Sequence, residues 1–473
     1  SLPRPVPAAS RGGIALVLVP ALVLAAIAIS VWVAHDVFEA LPHTPDEVVY
    51  LLQSEWLLDG ALWSNATPFQ RFLTVPFTYI DDARWIAHYP PGWPVLLSVG
   101  LAAGAPWLVT PLLGGLYVLL LYAAGRELQG PALGLTAATL GVISPMGRLI
   151  FSSMLSHALA ATLILGALVL VLRIRRSAAW LPAAGAGIAL GAAFGIRPLT
   201  AAAAAVPLLA LAAIGPGRRV PIVTAVIGGF AGAAAPTLLA NALITGSALS
   251  FPYSLAHGSM FGAANIPFGL RNLDVLLASS GAAATGWGWS LVHGPWMTAL
   301  VFAPALVALL SKKVRSSDWL LAAMAVSIAI AYVGSRGHGL HGFGPRYHFE
   351  AFAPFFLLSA RGFFVLAGLG GDEQKSERRL PVAVSFGLFF ALCMPAGAML
   401  PARLALYRGY NGVDGALQRQ LEGLGQERAL IVLTTDAWQG WAEASHFLDF
   451  SPHAPILVIQ ADADDPAIPV IAD

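Results

Sequence analysis

The chain has 473 residues, 57% hydrophobic and 11% charged, with a mean hydropathy of +0.73 and a formal net charge of +1. Soluble domains carry about 25% charged residues, so the composition excludes one and specifies a polytopic membrane protein. A near-neutral balance without a sustained basic run also excludes nucleic acid as a partner.

The first apolar run, 14–33, is too long for a secretory signal core and has no small-residue cleavage site before His35, so it is expected to remain as a span. The stretch His43-Thr44-Pro45-Asp46-Glu47-Val48-Val49-Tyr50 follows. Thr44 reads as an N-cap, Pro45 as the first helical residue and Glu47 as the third, reaching back in a capping box. Asp46 then points off the helix start. Val48, Val49, Leu52 and Trp56 share one side, so the helix is expected to lie along a membrane interface with Asp46 facing a cleft. The bland alternative is that both acids only cap the helix and complement its dipole.

Basic clusters orient the rest. Arg4 and Arg11, then Arg126, Arg173 with Arg175 and Arg176, Arg218 with Arg219, Lys312 with Lys313 and Arg315, and Lys375 with Arg378 and Arg379 are expected on the cytoplasmic side. That allows one crossing between Asp46 and Arg126. The proline-rich run 89–104 is therefore expected to form a second interfacial helix, and 106–124 to cross. Further spans are expected at 132–146, 155–172, 181–196, 199–214, 220–244, 295–310, 319–333, 349–366 and 381–400, about eleven in all. The expected fold is an all-α polytopic membrane protein with a small C-terminal α/β appendage. Residues 1–400 form the transmembrane domain, with long outer loops 35–105 and 245–294, and 401–473 form the extracytoplasmic segment. The expected location is a bacterial inner or plasma membrane with a cytoplasmic N-terminus. The single cysteine, Cys393, cannot make an intrachain disulfide.

No acid occurs from Leu128 through Leu273, which weakens a cation-coupled transporter. Basic and imidazole groups collect instead at the outer ends of spans: Arg148, His157, Arg197, Arg271, Arg346 and His348, with His88 and Tyr89 before the second interfacial helix. A rim of this kind suits a lipid-borne phosphate, which needs positive donors while its tail stays in the bilayer. Gly342-Phe343-Gly344-Pro345-Arg346-Tyr347-His348-Phe349-Glu350 is the sharpest stretch, since arginine can hold a phosphate bidentately. Its alternative is that Arg346 snorkels or pairs with Glu350. Asp81 and Asp82 could join Asp46 around a divalent metal, while Arg84 offers a simple salt bridge. The histidine spacing supports no structural zinc site, and no cofactor is assigned.

Pro45-Asp46-Glu47, Tyr89-Pro90-Pro91-Gly92-Trp93-Pro94, and Arg346-Tyr347 with Pro354 and Ala360-Arg361-Gly362 together resemble membrane glycosyltransferases of the C superfold. The type is that of protein O-mannosyltransferases and lipid A aminoarabinose transferases, and the likeness covers about residues 10–370. The resemblance implies an inverting, metal-independent transfer of sugar from a polyprenyl-phosphate donor to a lipid, glycan or protein acceptor at the outer membrane face. Asp46 would be the base with Glu47 beside it. His88-Tyr89 stands where the aminoarabinose type has lysine, which shifts the donor phosphate toward Arg346, Arg197 and Arg271, with Tyr347, His348, His88 and Tyr89 as further phosphate-binding candidates. A carrier for lipid-linked glycans, and a glycan polymerase or ligase using a lipid pyrophosphate, are the alternatives.

Overall fold

The computed structural model describes residues 12–67, 70–73, 75–177, 179–214, 219–257, 295–335, 340–341, 344–368, 401, 404–405, 407–424, 429–434, 438–445, 456–461, 465 and 468. The expected span 381–400 and Arg271 lie outside them. Among the described residues, six helical stretches are long and apolar enough to cross a membrane: Ile14–Val37, Pro106–Gln129, His157–Ile174, Arg219–Thr245, Ser316–Gly334 and Arg346–Leu366. The chain is an integral membrane protein. Shorter apolar helices lie at Gly92–Ala102, Pro131–Ile143, Trp180–Phe194 and Pro198–Ala213.

In chain order, α1 (Gly12–Trp32) leads to α2 (Pro45–Leu58) and α3 (Gly92–Ala102). Then come α4 (Val109–Gln129), α5 (Pro131–Ile143), α6 (Pro145–Ile150), α7 (His157–Ser177), α8 (Trp180–Phe194), α9 (Pro198–Ile214) and α10 (Arg219–Thr245). After α11 (Pro252–His257), α12 (Pro295–Leu310), α13 (Ser316–Ala331) and α14 (Phe352–Leu366) complete the described bundle. The expected span 132–146 is interrupted. Ser144 caps a new helix by accepting the Gly147 N–H at 3.1 Å, and Pro145 supplies its first residue.

Small residues set the closest approaches. A Cβ on Gly187, Gly191 or Gly229 would overlap backbone across the α8–α10 contact, the packing that lipid-embedded helices use where hydrophobic burial gives no preference for protein over lipid.

A second core lies at one end of the bundle. Val48, Val49, Leu52 and Trp56 pack with Trp85 of the hairpin and with Val413, Trp441 and Val458 from the C-terminal part. The apolar stripe of α2 thus meets protein, where the sequence led us to expect a membrane interface. Tyr50 and Leu51 face the bundle core instead, which leaves α2 covered on both sides. The hairpin strands β1 (Ser64–Asn65), β2 (Thr78–Asp81) and β3 (Arg84–Ala87) form an antiparallel sheet in the order β1-β3-β2. Two short strands, β4 (Leu340–His341) and β5 (Gly344–Pro345), precede α14. In the C-terminal part, α15 (Ala416–Leu424) and α16 (Trp438–Glu443) accompany β6 (Ala429–Leu433) and β7 (Ile456–Gln460), which pair in parallel.

Candidate functional site

The start of α2 forms as the sequence dictates. The Thr44 hydroxyl accepts the Glu47 N–H at 3.4 Å and donates to Glu47 Oε2 at 3.0 Å. Glu47 Oε2 also takes the His43 N–H at 2.8 Å, one residue earlier than a capping box requires. Glu47 Oε1 takes the Met154 N–H at 2.6 Å. Glu47 is buried and spends its carboxylate joining α2 to the loop ahead of His157. Burial pushes its carboxyl up to about 7, against the three donors that favour the charged form.

Asp46 lies on the neighbouring face, 9% exposed. Arg346 Nη1 and Nη2 donate to Asp46 Oδ2, each at 3.2 Å, and the Tyr89 hydroxyl donates to Oδ1 at 2.6 Å. Burial, then the charge of Asp46, pushes the Tyr89 phenol well above its ordinary range, so it remains a donor. Tyr50 stands one turn along from Asp46, with its ring 4.6 Å from that of Tyr89 and its hydroxyl donating to Ser156 at 3.2 Å.

A second arginine–carboxylate pair adjoins the first. Arg197, just ahead of α9, places Nε 3.2 Å from Glu350 Oε1, and His157 Nδ1 lies 3.2 Å from the same oxygen. Arg197 Nη2 donates to the Tyr332 hydroxyl at 2.7 Å, and Nη1 lies 3.3 Å from His157 Nε2. The Tyr347 ring connects the two pairs, with the Arg197 guanidinium 5.0 Å from its centre and that of Arg346 5.5 Å away.

Arg346 and Glu350 separate because residues Arg346–Ala351 form a 3₁₀ turn. At three residues per turn, positions four apart diverge by about 120°. Arg346 therefore reaches Asp46 rather than Glu350, which settles the alternative left open by the sequence. Tyr347 and Glu350, three apart, share a face toward Arg197.

Gly92 brings Tyr89 to this place. Its N–H donates to the Gly195 carbonyl at 3.0 Å, and a Cβ there would overlap that carbonyl. The Tyr89-Pro90-Pro91-Gly92 turn is thereby held against Gly195-Ile196-Arg197. Trp93 Nε1 donates to Met154 O at 2.8 Å, fastening α3 to the same loop that Glu47 holds.

The other expected residues fall apart from this centre or at its edge. Arg148 is fully buried among helices, donating to Ala26 O at 2.8 Å, the Ser30 hydroxyl at 3.0 Å and Gly141 O at 3.3 Å. It joins α1 to α5 instead of rimming the cleft. Asp81 pairs with Arg84 across the hairpin turn, and Asp82 occupies the turn itself at φ 54°. His88 lies buried between Phe77 and Tyr89, and His348 packs on Tyr332 with ring centres 5.4 Å apart. Sequence reasoning did not single out Tyr50 or Tyr332. The four-residue spacing from Asp46 to Tyr50 was the available signal; nothing local marked Tyr332.

Chemically, the centre offers two carboxylates, two guanidiniums and several phenols at one end of an apolar bundle. A carboxylate can accept a hydroxyl proton, and paired arginines can hold a phosphate.

No protein-family model matches the chain, and no curated protein sequence matches it. Its three-dimensional structure is similar to that of ArnT from Cupriavidus metallidurans bound to undecaprenyl phosphate. The two are 12% identical over 95% of this chain and 86% of that one, with a TM-score of 0.60. Against the same protein in the apo state the values are 13%, 94%, 86% and 0.61. The Archaeoglobus fulgidus oligosaccharyltransferase tethered to an acceptor peptide is 14% identical over 92% of this chain and 63% of that one, with a TM-score of 0.51. The chain shares the fold of these proteins.

Proposed function

We propose that the protein is an inverting glycosyltransferase that moves a sugar from a polyprenyl-phosphate donor to a hydroxyl of a lipid, glycan or protein acceptor. The observation that carries the reading is the pairing of Asp46 with Arg346 beside the Tyr89 hydroxyl. It sets a base next to a phosphate-binding cation at the end of an apolar bundle. Asp46 takes the acceptor proton as the anomeric bond breaks, and the leaving phosphate departs as an anion stabilised by Arg346 and Arg197. Tyr347 lies against both cations and Tyr89 holds Asp46, with His157 and His348 alongside. Glu47, bonded through both oxygens, positions the helix start. That ArnT has been obtained with undecaprenyl phosphate supports the donor class.

In the same reading α5, α8, α9 and α12 also cross the membrane. At 13 residues α5 rises about 20 Å, short of the hydrocarbon thickness, and α6 extends it. With 381–400 this gives eleven spans. The α2 end then faces outward, with 1–400 as the transmembrane domain and 401–473 as an extracytoplasmic segment over the site.

The test is sugar transfer from a panel of radiolabelled polyprenyl-phosphate sugars by purified protein with membrane extract as acceptor source. Asp46→Asn is expected to lower turnover at least 10²-fold while donor binding persists. Equal transfer by both forms would remove Asp46 as base. Binding without transfer from any donor would favour a carrier or a polymerase.

A further inference from the structure

We propose that Glu350 takes up a proton when the anionic donor enters, so that donor binding is coupled to protonation of the protein. The inference rests on the donor reading above. Among the described residues, Arg346 and Arg197 each face one carboxylate, Asp46 and Glu350. His157 adds no charge in this arrangement. Arg197 Nη1 has only protons to offer His157 Nε2, so that nitrogen accepts, leaving Nδ1 to donate to Glu350. Glu47, the neighbouring buried acid, adds no positive charge. Among the described residues, the centre holds no spare positive charge before any ligand arrives.

A phosphodiester brings one further negative charge into this enclosure. An uncompensated buried charge is costly, and neutralising an acid already present is the cheaper response. Glu350 is the acid built for it. Its side chain is wholly covered, Oε1 is held by His157 and Arg197, and Oε2 has no partner among the described residues. Asp46 and Glu47, by contrast, accept hydrogen bonds at both oxygens. The competing proton sites are His348, whose Nδ1 also lacks a partner among the described residues, and Glu47, whose carboxyl burial pushes up to about 7 but whose oxygens are both already engaged by donors. The proton comes from solvent water and leaves Glu350 as a neutral carboxylic acid; no other bond is made or broken.

The experiment uses the full chain in lipid nanodiscs and farnesyl methyl phosphate, a diester whose single charge is fixed across about pH 5 to 9. Its affinity is expected to fall by up to about tenfold per pH unit over the window in which Glu350 releases the proton. Calorimetry in buffers of different ionisation heat should count about one proton taken up per ligand bound. Glu350→Gln should bind with flat pH dependence and no proton uptake, while His348→Gln, whatever its affinity, should keep the wild-type slope and the wild-type proton uptake. Binding without proton uptake in the wild type overturns the proposal, as does a slope that survives in Glu350→Gln or disappears in His348→Gln. Should Glu350→Gln fail to fold, the wild-type proton count and the His348→Gln slope decide. Absence of binding at every pH would overturn the donor reading itself.

Discussion

Arg346 neutralises Asp46 through both terminal nitrogens at a carboxylate whose side chain is 12% exposed. Arg346→Gln leaves that carboxylate without its cation, and the expected loss is about 3 kcal/mol of stability. Adding Asp46→Asn should recover most of it, and a double-mutant cycle of unfolding in detergent measures the coupling. Glu47 allows a pH prediction. Its folded-state value of about 7 stands above the ordinary 4.5, so its contribution is complete below about pH 4.5 and is lost as pH rises through about 7. The expected Tm of the wild type therefore declines across that window. Glu47→Gln removes this decline and leaves one of two backbone N–H donors facing an amide N–H₂, a loss of about 1–3 kcal/mol. Asp46 was legible because cap, proline and acids lie within four consecutive residues. The partners of Glu350 were not, because His157 and Arg197 come from distant parts of the chain.

At the scale of elements, the site depends on two departures from regular helix. The 3₁₀ turn at Arg346–Ala351 sends Arg346 and Glu350 to different carboxylate and cation partners. An uninterrupted α-helix would bring them onto one face, as residues four apart are. The second departure is the contact of Gly92 with Gly195, which leaves no room for a side chain. Gly92→Ala must push the Tyr89 turn away from Arg197. The expected result is at least tenfold weaker transfer in the radiolabel assay, with donor affinity and turnover both affected because Tyr89 and Arg197 serve different partners. The glycine was visible in Tyr89-Pro90-Pro91-Gly92, but not its opposing carbonyl. Hydropathy also ran 132–146 together as one span, because Ser144 and Pro145 break the helix without lowering the apolar average.

At the scale of the molecule, the C-terminal part covers α2. Val413, Trp441 and Val458 close over Val48, Val49, Leu52 and Trp56, while His43 Nδ1 lies 3.0 Å from Tyr410 O and the Asn411 amide donates to His43 O at 2.8 Å. Truncation before residue 401 would expose that stripe beside Asp46. The expected outcome is loss of transfer and aggregation in detergent, read by size-exclusion chromatography, even where the protein still inserts. By itself the sequence determined the membrane class, the positions of most apolar helices, the cap that starts α2 and the arginines near the site. These follow from local composition and spacing, which lipid and backbone hydrogen bonding read directly. Only the tertiary structure decided that Arg346 pairs with Asp46, that Glu350 pairs with Arg197 and His157, that Arg148 stays among helices, and that α2 is roofed by protein. Each of those outcomes depends on contacts between residues distant in sequence, whose proximity no local pattern encodes.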